Sequence, residues 1–577
     1  MTTVLGIGDP AHGTGAALIR DGEVIHAVNE SRLSRVKRES RFPASSVNYI
    51  LEQIEEVPDD IAVSGIESPY FFRNLRYSSR HAKGLSGLLD AVASDVYRGI
   101  KQWRRGTLKE VAEELHASTY LDASLSYVQS KLTYVDHHRA HAASAYYTGP
   151  FSDATVLTVD AAGDRFSATV YAGEDGSLTR LETSDDIDSI GKLWAQVPTV
   201  FGFKGEKHAG KFMGMASYAE TIPDRLSRLF AEWLNVDGLT LRNDFEREYQ
   251  DCDYEGHVMA LKEHLEEYRP SQVARALQDR TETILREYVE NAVAETGLAH
   301  VVLAGGVFAN VKVNQRIYES PEIEGVFVHQ NMGDGGIGLG AALAMYADEH
   351  PDFTPTYLDD VYLGPKYGDE AIERAIDRVE IPDEYVIKQF DDESAAAETV
   401  ADLLVDGHVV SLYTGQVEYG PRALGNRSIL YQPTDPSAIE WLNQRLDRTE
   451  FMPFAPVTLK ERADECYLDY DPDRCPAADF MTVSFDCTET MQDRSPGVVH
   501  VDGTARPQLI DEATNPLYYE ILAAYEERTG IPSLINTSFN MHGEPIVCKP
   551  TEAIRSFLST ENEGLLMDQT LLRKGDQ

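Results

Sequence analysis

The sequence predicts an α/β protein of two domains, and three observations carry that expectation. The chain has 577 residues, more than one hydrophobic core ordinarily serves. Two distant stretches repeat one pattern: VLGIGDPAHGTGAALIRDGEVIHAV near the start and TVLTVDAAGDRFSATVYAGEDGSLTRLE from residue 155. Each reads as strand, glycine turn, strand, tight turn with a central glycine, strand. Finally, the Pro- and Asp-rich segment PDFTPTYLDDVYLGP, after His350, precedes a region with apolar runs of its own. The predicted domains are residues 1–355 and 370–577.

A repeated β unit predicts two related subdomains facing a cleft, the arrangement by which actin-like ATPase and sugar-kinase folds hold a nucleotide. Residues 45–130, between the copies, read as helical, and residues 222–298 as mostly helical, ending in VARALQDRTETILREYVENAVAET. VVLAGGVFANVKVN (301–314) reads as a buried strand, a double glycine and a helix start. VFVHQNMGDGGIGLGAALAMYA (326–347) repeats that order. Glycines there admit a ligand close to the backbone, and a helix N-terminus offers free N–H groups to phosphate. The second domain opens on an acidic helical stretch and continues with VVSLYTGQVEYGPRALGNRSILYQP.

Composition narrows the function. No run of 18 apolar residues is present, so no membrane span is expected. The first residues, MTTVLGIGDPAHG, carry no secretory pattern, and five scattered cysteines form no CxxC pair; both predict a reducing cytoplasm. With 52 basic and 95 acidic residues the net charge is −43. Such acidity resembles that of proteins from salt-accumulating organisms, and it argues against general nucleic-acid binding, which needs cations for phosphate. Residues 70–110 are a basic exception, read as a solvated helical face or as a surface for an anionic substrate or partner.

Four motifs carry chemistry. In VDHHRAHAASAYYTGPF (135–151), His137 and His141 stand four apart in an Ala-rich segment, so both imidazoles leave one helical face. Convergent neutral imidazoles commonly begin a first-row metal site. GPRALGNRS (420–428) places Arg422 and Arg427 in a glycine-bounded turn, suited to bidentate recognition of phosphate. HVDGTARPQ adds His500 and Arg506, and NTSFNMHGEP adds Asn536, Ser538, Asn540 and His542. Three such donor-rich loops predict one polyanion pocket.

The order of these motifs resembles the NodU/CmcH-type O-carbamoyltransferases, over nearly the whole chain. The likeness runs from HGTGAAL and ESRLSRVKRESRFP through DHHRAHAASA, VDAAGD, GKFMGMASYAE, LAGGVFAN and GDGGIGLGAA. It continues with GPRALGNRS, MPFAP, HVDGTARPQ and NTSFN. It implies a metal-dependent N-terminal domain like that of threonylcarbamoyltransferases and a YrdC-like, adenylate-forming C-terminal domain. In that family carbamoyl phosphate and ATP, with its Mg²⁺, give carbamoyl adenylate, and an acceptor hydroxyl then takes the carbamoyl group.

Carried onto this sequence, the resemblance makes His137, His141, Asp160 and Asp334 the metal ligands, for Fe²⁺ with Mn²⁺ or Zn²⁺ as rivals. His12 becomes the general base, and Gly305, Gly306 and Asn310 line the nucleotide, with Lys211 on its phosphate. Arg422, Arg427 and Arg506 hold phosphates during adenylation, and Asn536, Ser538 and Asn540 belong to the same pocket. The chain departs from the family at Met452, where many members carry arginine after a preceding lysine; Arg445 or Arg448 is the candidate substitute. It departs again at Asn29–Glu30, where the family has paired acids. Threonylcarbamoyl transfer to tRNA and an actin-like nucleotide switch remain alternatives. The acceptor is expected to be a sugar or small-metabolite hydroxyl, and a homodimer is plausible by analogy.

Overall fold

The structure, a computed structural model, describes residues 1–9, 13–39, 41–54, 58–65, 132–446, 454–560 and 562–575. Its first sheet grows from the opening alternation. Strands β1 (Thr3–Asp9), β2 (Gly15–Arg20) and β3 (Glu23–Asn29) form an antiparallel meander. Asp21 and Gly22, between β2 and β3, both have positive φ (50° and 88°), which a two-residue turn matching the strand twist requires. On the other side of β1, β4 (Asp60–Gly65) and β5 (Leu132–Tyr134) add in parallel, giving the order β3-β2-β1-β4-β5.

The second sheet repeats this plan. Strands β6 (Ala154–Gly163), β7 (Phe166–Glu174) and β8 (Ser177–Asp185) form the meander, again with an Asp-Gly turn, Asp175 and Gly176 at φ 48° and 78°. A small hairpin follows, β9 (Leu234–Asp237) with β10 (Thr240–Asn243). Then β11 (His300–Ala304) and β12 (Gly325–Val328) add in parallel beside β6, giving β12-β11-β6-β7-β8. The duplication therefore lies in the topology as well as in the residue pattern, and the N-terminal region has the actin-like ATPase and sugar-kinase type of fold.

One helix, Ile337–Glu349, joins the halves; it is apolar on nearly every side and buried along most of its length. Glycine makes its close approaches possible. A Cβ on Gly6 of β1 would lie 2.0 Å from the Gly338 carbonyl oxygen, and one on Gly340 would lie 1.8 Å from that of Ala140. The backbone of the helix His137–Tyr146 is thereby brought against it.

One expectation needs correction: β4 interrupts the stretch read as helical over 45–130, of which 55–57 and 66–130 lie outside the described residues. It is a short strand, whose apolar run cannot be told from helix by periodicity alone. Residues 222–298 are mostly helical, with the short hairpin β9–β10 among the helices. The basic island at 70–110 also lies outside the described residues.

The segment 351–365 forms no regular strand. It crosses the molecule on backbone bonds: Thr356 N to Tyr147 O (2.9 Å), Ala27 N to Leu363 O (3.2 Å) and Gly364 N to Val417 O (3.0 Å). The C-terminal region is built on a mixed sheet of eight strands. In chain order these are β13 (Tyr385–Gln389), β14 (Val410–Tyr413), β15 (Ser428–Tyr431) and β16 (Ala455–Leu459). A short ladder of β17 (Phe485–Asp486) with β18 (Thr504–Ala505) intervenes, and β19 (Gln508–Ile510), β20 (Ser533–Ser538), β21 (Gly564–Met567) and β22 (Thr570–Lys574) complete the sheet. The spatial order is β13-β22-β21-β14-β15-β20-β16-β19. Among the described residues no helix is long and apolar enough to cross a membrane.

Candidate metal centre and anion pocket

Asp136 caps the helix His137–Tyr146 by accepting from Arg139 N (3.0 Å). A second buried carboxylate, Asp164, accepts from His137 N (2.8 Å). Asp164 and its neighbour Arg165 both have positive φ (48° and 73°), so the β6–β7 turn folds back onto the helix start. Gly163 is required there, because a Cβ would lie 2.0 Å from the His137 ring. One turn on, His141 projects beside His137, the ring centroids 4.7 Å apart.

Into this pair come two carboxylates from different strand ends. Asp160 lies on β6, and Asp334 on the turn that precedes the joining helix. His141 Nε2 lies 3.1 Å from Asp160 Oδ2 and 3.5 Å from Asp334 Oδ1; His137 Nε2 lies 3.8 and 3.6 Å from the same atoms. Yet all four nitrogens of the two rings, and Asp160 Oδ2, are buried with no hydrogen bond of acceptable geometry. Donors that converge without bonding to one another fit a cation between them. The shortest separation, 3.1 Å, falls within the roughly 3.0–3.4 Å between donors that each lie about 2.1 Å from an ion, and the others, 3.5–3.8 Å, lie just above it. The four residues are a group that can hold a metal ion. Charge points the same way: with the imidazoles in the neutral form a ligand requires, the two nearly buried carboxylates leave a negative charge that a divalent ion neutralises.

His138 lies outside this set. Its Nε2–H donates to Phe166 O (2.9 Å), so Nδ1 accepts from the Thr158 hydroxyl (2.7 Å). Burial, with the two neighbouring imidazoles, lowers its pKa to about 3 and keeps it neutral.

For His141 burial also opposes the charge, but the two carboxylates outweigh it and raise the pKa to about 9. In the metal-free protein this pairing contributes stability that is fully present below the ordinary imidazole pKa and is lost as pH rises through about 9. A ligand imidazole must be neutral, so loading the site expels that proton. The logarithm of Mn²⁺ affinity is therefore expected to rise about one unit per pH unit between about pH 7 and 9, then flatten. Calorimetry in buffers of different ionisation enthalpy would measure it; a flat profile over that range would remove His141 as the proton source.

The other N-terminal candidates divide. Gly305 (φ 99°) and Gly306 form the turn after β11, where a Cβ on Gly305 would lie 2.2 Å from Val159 O and one on Gly306 would lie 3.2 Å from Asp160 Oδ1. Both glycines thus abut the metal group. Asn310 caps the helix Val311–Tyr318 and exchanges side-chain hydrogen bonds with Gln278 (2.8 and 3.1 Å), so its amide is engaged within the protein. Lys211 lies on the helix Ala209–Met215. His12 lies outside the described residues; its chain neighbour Gly13 abuts the Asp334 turn, its Cβ position 3.4 Å from Gly335 N.

In the C-terminal region the three donor-rich loops meet along β15, β20 and β19. Gln508 donates to Leu424 O (2.7 Å), and Asn536 donates to Ala423 O (3.1 Å) and to Gln508 Oε1 (2.7 Å). Buried Glu418 accepts from the Leu424 and Arg427 amides (2.9 Å each) and folds the loop between β14 and β15. The three arginines expected to act together separate here. Arg427 is fully buried, donates to the carbonyls of Thr414, Asn426 and Gly415, and stacks 3.8 Å from the Tyr413 ring centroid. Its two terminal nitrogens thus brace the loop, while Nε is buried without a partner.

Arg422 and Arg506 differ from it in being half-buried, and among the described residues neither forms an ion pair. Burial lowers the pKa of Arg422 to about 10 and holds that of Arg506 well below its ordinary value, with Arg422 itself as the second cause. Two guanidiniums that disfavour each other's charge suit an anion between them. Ser538 Oγ donates to Asn540 Oδ1 (2.5 Å), and the Asn540 amide donates to Met541 O and Glu544 O (2.9 Å each), so these two shape the adjacent turn. His500 donates from Nδ1 towards Asp502 Oδ1 (3.2 Å). Asp502 also takes Lys312 (3.0 Å) and Ser217 (2.8 Å), docking this loop on the N-terminal region. Arg445 is engaged with Glu563 (3.0 Å); Arg448 and Met452 lie outside the described residues.

The chain matches the family models described as carbamoyltransferase N-terminus over residues 3–343 and carbamoyltransferase C-terminus over residues 401–574. It is 32% identical over 581 residues to nodulation protein NolNO of Sinorhizobium fredii, covering 98% of this chain and 79% of that one. It is 30% identical over 585 residues to the uncharacterized protein MJ1051 of Methanocaldococcus jannaschii, covering 99% of each. Among solved structures, (R)-2-hydroxyglutaryl-CoA dehydratase component A of Acidaminococcus fermentans is similar over 60% of this chain and 99% of that one, with 13% identity and a TM-score of 0.34.

Proposed function

Since the chain belongs to the carbamoyltransferase family, we propose that it makes carbamoyl adenylate in the C-terminal region and spends it on an acceptor hydroxyl at the metal centre. The observation that carries this reading is the pair Arg422 and Arg506, both half-buried and neither in an ion pair among the described residues. Carbamoyl phosphate and ATP are both anionic, so their joint binding needs such cations, and adenylation moves charge between phosphates that they can hold. The atoms balance if carbamoyl phosphate yields phosphate to water, leaving carbamate. A carbamate oxygen then attacks the α-phosphorus of ATP, the bond to the β-phosphate breaks, and pyrophosphate leaves. The YrdC-like character of the C-terminal region belongs to this proposal.

For transfer, His137, His141, Asp160 and Asp334 would hold the ion, Fe²⁺ or its rivals. A divalent cation there supplies polarisation of the carbamoyl carbonyl as the alcohol oxygen attacks. His12 is proposed to take the acceptor proton, since its neighbour Gly13 abuts the Asp334 turn. The new C–O bond forms as AMP departs. The acceptor is read as a saccharide or small-metabolite hydroxyl.

The test supplies purified protein with ATP, Mg²⁺ and Fe²⁺. AMP and pyrophosphate are expected only when carbamoyl phosphate is added. Formation of ADP instead, or AMP formation indifferent to carbamoyl phosphate, would defeat the reading.

A further inference from the structure

The two candidate sites meet at one side chain. Asn29, the last residue of β3, accepts from Gly420 N at Oδ1 (3.0 Å) and donates from Nδ2 to Gly335 O (3.4 Å). Gly335 directly follows the candidate ligand Asp334, and Gly420 stands two residues before Arg422. Asn331, in the same metal-side loop, donates to Asn29 Oδ1 (3.4 Å). From the arginine-bearing loop, the Tyr419 hydroxyl donates to Gly335 O (3.2 Å). The Gly420 carbonyl is in turn held by buried Arg32 (2.6 Å), on the short helix that follows Asn29.

There is no slack in this junction. A Cβ on Gly335 would lie 2.4 Å from Asn29 Nδ2, and one on Gly420 would lie 3.1 Å from Gln330 O. Gly420 also has φ 116°, a conformation that other residues rarely adopt. A shift of the arginine loop on binding an anion therefore moves the Asp334 turn, and the reverse holds as well. The amide suits this place because one end must accept and the other donate. A carboxylate would keep the bond from Gly420 N, lose the bond to Gly335 O, and put a negative charge beside that carbonyl.

We propose that Asn29 is a positioning residue that couples the anion pocket to the metal centre, so that each ligand binds with a different affinity when the other is present. The inference rests on the two-site reading above. Its test uses cobalt(II), followed by its visible absorption, and sulfate as the stand-in anion, at constant ionic strength. In the unaltered chain saturating sulfate is expected to change the cobalt Kd by about fivefold or more, the usual lower bound of coupling between sites. Sulfate on Arg422→Ala should leave the cobalt Kd unchanged.

Asn29→Asp, the near-isosteric change, and Tyr419→Phe, which removes only one hydroxyl, should keep the absorption bands of bound cobalt and retain sulfate binding by calorimetry. The sulfate effect should fall to about onefold in Asn29→Asp and become smaller in Tyr419→Phe. Coupling that survives in Asn29→Asp, or is missing from the unaltered chain while both ligands bind, overturns the inference. Failure of cobalt or sulfate to bind at all would sink the two-site reading itself, and this inference with it.

Discussion

His141→Ala is expected to empty the metal centre while ATP cleavage in the presence of carbamoyl phosphate continues. Loss of even an outer-shell partner costs about 10–100-fold in metal affinity, and His141 offers a donor to the ion itself, so a fall of about 100-fold or more is expected. His141 Nε2 lies closer than that of His137 to both carboxylates, 3.1 and 3.5 Å against 3.8 and 3.6 Å. Its removal thus leaves the carboxylates without their nearer partner. The variant should fold, because alanine suits a helix interior that is already Ala-rich. Metal content by elemental analysis and AMP release by chromatography separate the two activities. Retention of stoichiometric metal, or loss of both activities together in a folded variant, would contradict the division of labour.

Arg506→Ala has the complementary expectation: AMP and pyrophosphate formation falls about 10²–10³-fold, the range for removing one preorganised donor from a developing charge. Metal binding should persist, because Arg506 shares no ligand with that centre. Stability gives a second, independent readout. Arg506 is half-buried, its charge is disfavoured by loss of solvent and by Arg422, and among the described residues no ion pair offsets either effect. Its truncation should therefore leave Tm unchanged or raise it, as expected where a group is kept for function at a cost to the fold. A folded Arg506→Ala variant with full adenylation, or one with sharply lowered Tm, would recast the residue as structural. Lysine should restore little, because it lacks the planar fork that grips two phosphate oxygens.

Much of the metal centre was legible before any coordinates. The i, i+4 spacing of His137 and His141 fixes their common face, and both Asp-Gly turns announce the repeated meander. Asp160 and Asp334 were reachable only through the family resemblance, since nothing local joins residues on two strand ends to a helix far away in the chain. The arginines show the complementary failure. Arg422 and Arg427 stand five apart in one glycine-bounded turn, and residue type does not tell which one is fully buried against loop carbonyls and which one stays half-exposed. Glu418 and Gln508 carried no signal at all, being ordinary polar residues whose partners are distant groups, and Asn29 stood out only as a departure from the family's paired acids.

By itself, then, the sequence determined periodicity, turn chemistry and the helical face that carries the imidazoles, because each depends on residues within a few positions of one another. Which polar groups are left without partners emerges from the folded arrangement alone. That outcome depends on burial and on long-range contacts: Arg427 donates to carbonyls of its own loop, Arg422 and Arg506 form no ion pair among the described residues, and one amide at Asn29 lies between the turn of Asp334 and the loop of Arg422.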